Sequence, residues 1–434
     1  MAMRQRHAVG PARAEIEPAM PELGRCELRR VMIASQPRGT LEEHEVVVAE
    51  ESGLTFMFVR SLKKAIYGEV WSALQVTLHG RSESGSGVDF YRVVLDDNGN
   101  QRRLAVKRMP WDIINKQLGT VRENPLNEIA FLTRMQDPGH PNVVGLAEAL
   151  EDGSTVYLTT PFVGGVGGGE MFDWVADNYL NPATEDVIRP LLHQMIDGMR
   201  YMHSKGICHA DMSLENTLIN VERTKAFIID FGMALQMPTD AEGRRCKSVP
   251  DGRKAKRSYC APETYKGKEY DGVKVDVFSV GCMAFMMFTG IPPFDAATRF
   301  DPKFRKVVFR GDLQGYLRDY RIRPLPNPDT HNLRDYRIPP LPDPVFRLVK
   351  SMMAYKPEDR PLPEELLQDP WFATIAAVDE PAAAPKEVPG QGREVVSVQR
   401  SQGAAPPDDD DDDDDEAAAA GAPAGASARS TMHA

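Results

Sequence analysis

The chain has 434 residues and a net charge of −11, and 42% of its residues are hydrophobic, enough for a sizeable buried core. Nine acidic residues form one run at 408–416, so the remaining charge is much closer to balance and general nucleic-acid binding is not indicated. The 5 cysteines show no paired spacing, which argues against a disulfide framework or a zinc site. Such cysteine usage favours a reducing, cytoplasmic or nuclear location.

No segment of the sequence predicts secretion or membrane insertion. The first residues carry charges but no apolar core segment, so we expect no signal peptide. The most apolar run, 277–291, is too short to span a bilayer comfortably, because a transmembrane helix needs about 20 residues. We therefore expect a buried helix there and no membrane contact.

The first part of the chain is predicted to be strand-rich. Residues 1–53 have weak periodicity and are expected to form an N-terminal extension that is partly disordered. From Leu54 the sequence is rich in Val, Phe, Trp and Leu, which predicts strands. A hairpin is predicted around "DDNGN" at 96–100, and a helix over 127–135, where apolar residues recur at helical spacing. The strand-rich part is expected to cover 54–162.

The second part of the chain is predicted to be helical. The pattern changes after "GGVGGG", and a larger helical part is expected over 163–376. Within it, "LRDYRIRPLPNPD" at 317–329 recurs as "LRDYRIPPLPDPV" at 333–345. Two copies are too few for a solenoid, and the proline content predicts an extended surface insertion near 317–345. This repeat is either a local duplication without function or a loop that docks a partner.

The composition of residues 377–434 predicts a disordered acidic tail. Alanine, glycine, proline and aspartate dominate it. Such a segment cannot bury enough apolar surface to offset the entropy lost on ordering.

Several side chains match the needs of phosphoryl transfer, which requires metal-binding oxygens, a cation on the phosphates and an acceptor for a hydroxyl proton. Lys107 lies in the predicted strand "LAVKRM", and Glu128 on the next helix can pair with it. Asp230 ends an apolar run, a position that suits an exposed metal ligand. Asp211 and Asn216 in "HADMSLEN" supply a second pair of oxygen ligands or acceptors. Each fragment alone is weak evidence for phosphoryl transfer, because solvated Lys, Asp and Asn residues are common. All of them together, in this order, are specific evidence for it.

The segments "AVK", "NEI", "HPNVV", "HADMSLEN", "DFG", "APE" and "DVFSVG" resemble the ordered motifs of eukaryotic protein kinases, from about Leu54 to Phe372. The most similar subgroup is the calcium/calmodulin-dependent and related serine/threonine kinases. The resemblance implies an α+β, bilobal fold, with a small antiparallel β-sheet lobe carrying one helix and a larger, mainly helical lobe. It also implies ATP and Mg²⁺ as cofactors and a protein as substrate.

The resemblance also implies a role for each candidate residue. Lys107 would bind the nucleotide phosphates and pair with Glu128, Asp211 would accept the substrate proton, and Asn216 and Asp230 would bind metal. The residues implied to bind the nucleotide are Gly68, Val70, Ala105, Lys107, Thr160, Pro161, Phe162, Val163 and Glu170.

Further residues are implied to hold this site in place. Asp276 would anchor the backbone of the catalytic loop "HADMSLEN", and Arg360 would form a buried salt bridge with Glu263. A stacked hydrophobic column is implied for Leu132, Leu146, His209 and Phe231, although ordinary core packing predicts the same burial.

The sequence departs from the family pattern in the loop that covers the phosphates. Of three expected glycines only the third, Gly68, is present, while Lys63 and Ala65 replace the others and Tyr67 is at the tip. Loss of these glycines is expected to weaken the backbone cradle of the phosphates. Ala210 replaces the arginine before the catalytic aspartate, which implies that activity does not depend on a phosphorylated activation loop.

A second departure concerns Ser213 and Lys256. Ser213 stands where the family has a lysine that contacts the transferred phosphate, and Lys256 stands where it usually has a threonine that touches that lysine. We therefore expect the two side chains to be exchanged, with Lys256 supplying the charge from the activation segment. The alternative is two independent losses in a decaying site.

Two functions remain open from the sequence: an active protein serine/threonine kinase, or a pseudokinase scaffold. A third, transfer to a small molecule, is less favoured because the "APE" segment suits a peptide-substrate platform. The run 408–416 is either solvated or docks within the molecule on the basic activation segment.

Overall fold

The structure is a computed structural model. It describes residues 21–34, 41–81, 88–118, 123–164, 168–178, 182–242, 244–247, 256–266, 269–320, 324–326, 333–335, 341–374 and 396–400.

The strands lie mainly in the N-terminal lobe, with short pairs in the second lobe. In chain order they are β1 (Gly24–Ala34), β2 (Leu41–Ala49), β3 (Thr55–Ala65), β4 (Gly68–Arg81), β5 (Val88–Val93), β6 (Arg103–Pro110), β7 (Glu148–Glu151), β8 (Thr155–Pro161), β9 (Gly169–Glu170), β10 (Ile207–Cys208), β11 (Thr217–Ile219), β12 (Ala226–Ile228), β13 (Leu235–Gln236), β14 (Pro324–Pro326), β15 (Leu333–Asp335) and β16 (Val396–Arg400).

The α-helices lie mainly in the second lobe. They are α1 (Trp111–Gln117), α2 (Pro125–Arg134), α3 (Met171–Asp177), α4 (Glu185–Ser204), α5 (Gly272–Thr289), α6 (Pro302–Phe304), α7 (Leu313–Tyr320), α8 (Asp343–Met352) and α9 (Pro363–Leu367). Short 3-10 helices cover Pro262–Lys266, Pro357–Asp359 and Pro370–Thr374, and a π-helical turn covers Arg305–Phe309. The α+β, two-lobed fold class expected from the sequence is confirmed.

The N-terminal sheet closes on itself. Strands pair in the cycle β4–β6–β8–β7–β1–β2–β3–β4, so these strands form a barrel. All of these pairings are antiparallel except β1 with β7. Every strand of the cycle contributes to one buried cluster, which fills the barrel: Cys26, Val47, Ala49, Phe56, Phe58, Ala73, Leu104, Val106, Leu150 and Tyr157.

The strands β1 and β2 correct the boundary expected at residue 54. Both belong to the sheet, with Val46 paired to Met57 and Val47 paired to Phe56. Val47 points into the barrel, whereas Val46 joins a second buried cluster on the opposite face of the sheet. Because both faces are covered, the run 46–48 lacks the alternation that marks a half-buried strand. Residues 1–20 lie outside the described part.

The second lobe is built around α5, which packs against α4 and α8. By length and composition α5 could cross a membrane, but every residue of it except Lys274 is buried inside the protein. Asp271 caps the start of the helix, where its side chain accepts the Val273 N–H, and Gly290, which has a left-handed φ of 69°, caps its end. The buried helix expected from the sequence is therefore present.

The two copies of the repeat have different structures. In the first copy "LRDY" is the end of α7, whereas in the second copy "LRD" forms β15, which pairs antiparallel with β14 of the first copy. The ends of the repeat are part of the lobe's core, because Leu317, Leu341 and Val345 are buried. The expectation of a wholly extended surface insertion is thus wrong at both ends.

The strand β16 falls within the segment expected to be a disordered tail. Its backbone pairs antiparallel with β1, with Val31 opposite Arg400, and with β5. Extended backbone at the edge of two strands can add to a sheet through main-chain hydrogen bonds alone. The acidic run and its expected docking on the activation segment lie outside the described residues.

Candidate active site

A buried ion pair joins the sheet of the N-terminal lobe to its helix α2. Lys107 lies on β6, and its Nζ donates to Glu128 Oε2 at 2.8 Å. Burial opposes the charge on Lys107, but the Glu128 and Asp230 carboxylates outweigh this effect and raise the pKa of the ammonium. Burial also raises the pKa of Glu128, with Lys107 opposing it. The cation is therefore retained, and it faces the cleft.

Asp230 completes this charge cluster. Its backbone has a left-handed φ of 65°, an uncommon conformation for a residue other than glycine, and its Oδ1 accepts the Gly232 N–H at 3.3 Å. Although burial opposes ionisation, Lys107 and the Gly232 N–H hold the pKa of Asp230 below its usual range. Asp230 is thus an ionised, partly buried carboxylate, which suits a ligand of a hard divalent cation.

The side chain of Asp276 on α5 anchors the backbone of the catalytic loop. The carboxylate accepts the backbone N–H groups of His209 and Ala210, each at 2.9 Å, and His203 Nε2 lies 2.8 Å from it. Burial opposes ionisation, but these donors hold the pKa of Asp276 below its usual range. The anchoring expected for Asp276 is therefore observed. It fixes Ala210 at a φ of 61°, so that the loop turns toward the cleft.

The turn brings Asp211 to the centre of a hydrogen-bonded network. Asn216 Nδ2 donates to Asp211 Oδ2 at 2.8 Å, and Lys256 Nζ donates to the same oxygen at 2.9 Å. The Lys256 N–H donates to Asp211 Oδ1 at 3.0 Å, and Lys256 Nζ also donates to Ser213 Oγ at 3.0 Å. The structure thus brings together the two residues expected to be exchanged. It places both of them at the predicted proton acceptor.

The residues implied to surround the nucleotide base and ribose lie on β4, β6 and the chain after β8. Val70 pairs with Lys107, and Ala105 pairs with Thr160, so these side chains share the cleft face of the sheet. The remaining residues of this set lie nearby in the chain. Pro161 ends β8, Phe162 N–H donates to Arg103 O at 3.1 Å, Val163 follows, and Glu170 immediately precedes α3.

Close packing of the backbone explains why Gly68 is the one family glycine that the phosphate-covering hairpin keeps. The φ of Gly68 is 152°, and a Cβ there would lie 2.0 Å from the Arg108 carbonyl oxygen of β6. Any side chain would push β4 away from β6. Lys63 and Ala65, by contrast, lie on β3 and have no positive φ. Close packing against β6 therefore requires glycine only at position 68.

The sequence placed Tyr67 only at the tip of the hairpin, without its inward orientation, and did not identify Glu123 at all. Tyr67, in the hairpin turn, is only 1% exposed, and its hydroxyl donates to the Glu123 carbonyl oxygen. Burial and the nearby Asp230 carboxylate raise the pKa of Glu123. No sequence signal distinguishes an inward tyrosine at a hairpin turn. Glu123 could have been noticed only as an acidic residue just before the Pro125 start of α2.

Of the structural contacts implied by the resemblance, the Arg360–Glu263 salt bridge and the contact of His209 with Phe231 are present. Arg360 forms two hydrogen bonds with Glu263, from Nη1 to Oε1 at 2.5 Å and from Nη2 to Oε2 at 2.8 Å. In the expected column, the rings of His209 and Phe231 lie 5.0 Å apart. Its other members, Leu132 and Leu146, lie in the same apolar core, where Leu146 is half-buried.

Comparison with known proteins agrees with this geometry. Residues 84–372, well over half of the chain, match the family described as protein kinase domain. The chain is 29% identical over 259 residues to CBL-interacting serine/threonine-protein kinase 14 of Arabidopsis thaliana, covering 59% of this chain and 49% of that protein. It is 35% identical over 185 residues to calcium/calmodulin-dependent protein kinase type 1 of Macrobrachium nipponense, covering 42% and 49%.

A third relative is serine/threonine-protein kinase PLK4 of Danio rerio, 33% identical over 225 residues, or 51% of this chain and 21% of that protein. The chain thus spans about half the length of the first two relatives, and less of the third. The family match begins after β4, so the strands that close the barrel precede it. The length of the match and the geometry of the cleft together show that the chain belongs to the protein kinase family.

Proposed function

We propose that this chain is an active protein serine/threonine kinase that transfers the γ-phosphoryl group of ATP to a protein hydroxyl. The observation that carries this proposal is the network joining Asp211, Asn216, Ser213 and Lys256, because it retains each group that the transfer needs. The serine/threonine class is supported by the three relatives described above, each named as such a kinase or as a calcium/calmodulin-dependent kinase.

Asp211 is the proposed proton acceptor. Its Oδ1 accepts the Lys256 N–H, and a second lone pair on that oxygen can accept a substrate hydroxyl. Asn216 and Lys256 hold the other oxygen, so the carboxylate cannot rotate freely. A fixed acceptor orients the hydroxyl for attack, and positioning of this kind supplies much of the rate in phosphoryl transfer.

The donor set fits Mg²⁺ bound together with nucleotide phosphates. Asp230 provides an ionised carboxylate, and Asn216 directs its Nδ2 toward Asp211, which leaves its Oδ1 as a ligand. Mg²⁺ in nucleotide sites is usually bound by one or two protein oxygens plus phosphates. When bound, it supplies charge neutralisation on the phosphates. Lys107, held by Glu128, provides a further fixed cation for them.

Lys256 is proposed to contact the transferred phosphate in place of the lysine that Ser213 replaces. Its side chain is 36% exposed, and its ammonium lies between Asp211 and Ser213, so it reaches the proton acceptor and remains accessible to a phosphate. The three hydrogen bonds from Lys256 also tie the activation segment to the catalytic loop. This link needs no phosphate on the segment, which supports activity without the arginine replaced by Ala210.

A pseudokinase scaffold is the competing function. A radiolabelled ATP assay on a generic basic protein, with Asp230→Ala as the control, separates the two. We expect label incorporation by the unmodified chain and its loss in the control, because Asp230 is the proposed carboxylate ligand of the metal. Absence of incorporation by both proteins, with ATP still bound, would establish the scaffold instead.

A further inference from the structure

A second ion pair crosses the cleft, and the proposed transfer mechanism does not use it. Lys63 Nζ on β3 donates to Glu170 Oε1 at 2.6 Å. Lys63 stands at the first glycine position of the phosphate-covering hairpin, and Glu170 stands at the position implied to lie near the ribose. The ion pair therefore connects the phosphate-covering hairpin to the residue that precedes α3, at the place where a nucleotide would bind.

A β-bulge aims Lys63 into the cleft. Ser61 pairs with Trp71 and Lys63 pairs with Val70, so Leu62 is an extra residue in β3. Val70 in turn pairs with Lys107 on β6. Directly opposite residues share a face of the sheet, so Lys63, Val70 and Lys107 form one row across three strands. A shift of one residue would turn Lys63 to the other face.

Both side chains of the Lys63–Glu170 ion pair are in contact with solvent, so a ligand can take the place of either partner. The side chain of Lys63 is 62% exposed and that of Glu170 is 25% exposed. Ion pairs in contact with water contribute little net stability, so a ligand can replace either partner at small cost. The phosphate chain of ATP carries more negative charge than one carboxylate. A flexible lysine binds phosphate as a point charge and can move between the two.

We propose that Lys63 is a second phosphate-contacting lysine, which Glu170 holds over the cleft until a nucleotide enters. On ATP binding, the ammonium moves from Glu170 to the phosphate chain, and Glu170 becomes available to the ribose hydroxyls. Lys63 thereby replaces, by side-chain charge, part of the backbone cradle lost with the glycines. This inference rests on the proposed function of the cleft as an ATP site.

The test is equilibrium binding of ATP and of adenosine to the full chain with Mg²⁺, measured by calorimetry. Lys63→Ala is expected to weaken ATP binding about tenfold, because a charged hydrogen bond to phosphate is lost. The same variant should bind adenosine as tightly as the unmodified chain or more tightly, because Glu170 is released. Lys64→Ala is the matched control, since Lys64 pairs with Glu69 and points to the opposite face of the hairpin.

The outcomes are distinguishable. If Lys63→Ala tightens ATP binding, the ion pair only blocks the cleft and the inference is overturned. Equal weakening by the Lys63→Ala and Lys64→Ala variants would show a general charge effect and would also overturn it. If the unmodified chain binds and transfers phosphate while Lys63→Ala binds ATP normally, the inference alone fails. If the unmodified chain binds no ATP, the proposed function fails with it.

Discussion

Lys256 Nζ donates to Ser213 Oγ at 3.0 Å, so an ammonium from the activation segment meets a hydroxyl of the catalytic loop. The protein kinase family usually shows the reverse arrangement at these two positions. If the substitutions at positions 213 and 256 were two independent losses, no contact between these side chains would be expected beside Asp211. Here the contact is intact and Ser213 is fully buried. The hydroxyl of Ser213 also accepts the Asn216 N–H at 3.2 Å, which ties it to the proposed metal ligand.

Removal of the Lys256 ammonium tests its proposed role. Lys256→Ala is expected to lower turnover by about 10²–10³-fold, the usual cost of losing one group that stabilises developing charge. ATP affinity should stay close to that of the unmodified chain, because Lys107 and Asp230 are untouched. Turnover from initial rates and affinity from calorimetry separate the two effects. Lys247→Ala, which removes an exposed charge from the same segment, is the control. Loss of ATP binding in Lys256→Ala would contradict this role.

The acid sensitivity of folding should depend on Asp276. Its pKa is depressed in the folded state, so its contribution is fully present above the unfolded value of about 3.9 and is lost as pH falls through the folded value. Asp276→Asn breaks a buried, charged network and should lower the free energy of unfolding by about 3 kcal/mol at pH 7. The difference in unfolding free energy between Asp276→Asn and the unmodified chain should become smaller as the pH falls below about 4. Urea titrations from pH 7 to pH 3 measure it, and a constant difference would refute the assignment.

The hairpin over the cleft should tolerate glycine changes unequally. Gly68→Ala places a Cβ against the Arg108 carbonyl oxygen and is expected to destabilise the N-terminal lobe by about 2 kcal/mol or more. It should also raise the KM for ATP, because the hairpin covers the cleft. Ala65→Gly restores a family glycine and should change unfolding by less than about 1 kcal/mol. Urea unfolding and ATP titration measure both, and equal effects of the two variants would argue against the close contact.

The strands before residue 54 should contribute to stability as part of the barrel. Val47 is completely buried, so Val47→Ala is expected to cost about 2 kcal/mol of unfolding free energy. Val59→Ala is the control, because Val59 is 44% exposed and its truncation should cost less than about 0.5 kcal/mol. Chemical denaturation of the full chain compares the two. A neutral Val47→Ala would mean that this segment is only an extension of the lobe.

The sequence predicted the cleft better than the sheet around it. Motif spacing was enough for Lys107, Glu128, Asp211 and Asp230, because their chemistry is repeated in order along the chain. The barrel was not predicted, because a strand buried on both faces, such as β2 at 46–48, shows no alternation of apolar and polar residues. The prediction that the repeat at 317–345 is an extended surface insertion was also wrong at both ends. The tripeptide "LRD" is helical in the first copy, where Leu317 is buried, whereas in the second copy it forms a strand that pairs with β14 of the first.

Contacts between distant segments were the other limit. The Lys63–Glu170 pair joins residues more than a hundred positions apart, and it depends on a bulge at Leu62 that no local pattern indicates. His203 was missed for the same reason, since its partner Asp276 lies on another helix. The distant contacts that were expected, Arg360 with Glu263, Asp276 with the catalytic loop and Ser213 with Lys256, were those for which the family pattern supplied both positions.

The central claim is that Lys256 carries the displaced phosphate-contacting charge of an active kinase. The most direct measurement is γ-phosphoryl transfer by Lys256→Thr, Ser213→Lys and the double variant, compared with the unmodified chain. We expect transfer by the unmodified chain, a large loss in Lys256→Thr, and recovery of much of that loss when Ser213→Lys is added. Full activity of Lys256→Thr alone, or a double variant no more active than Lys256→Thr, would contradict the claim.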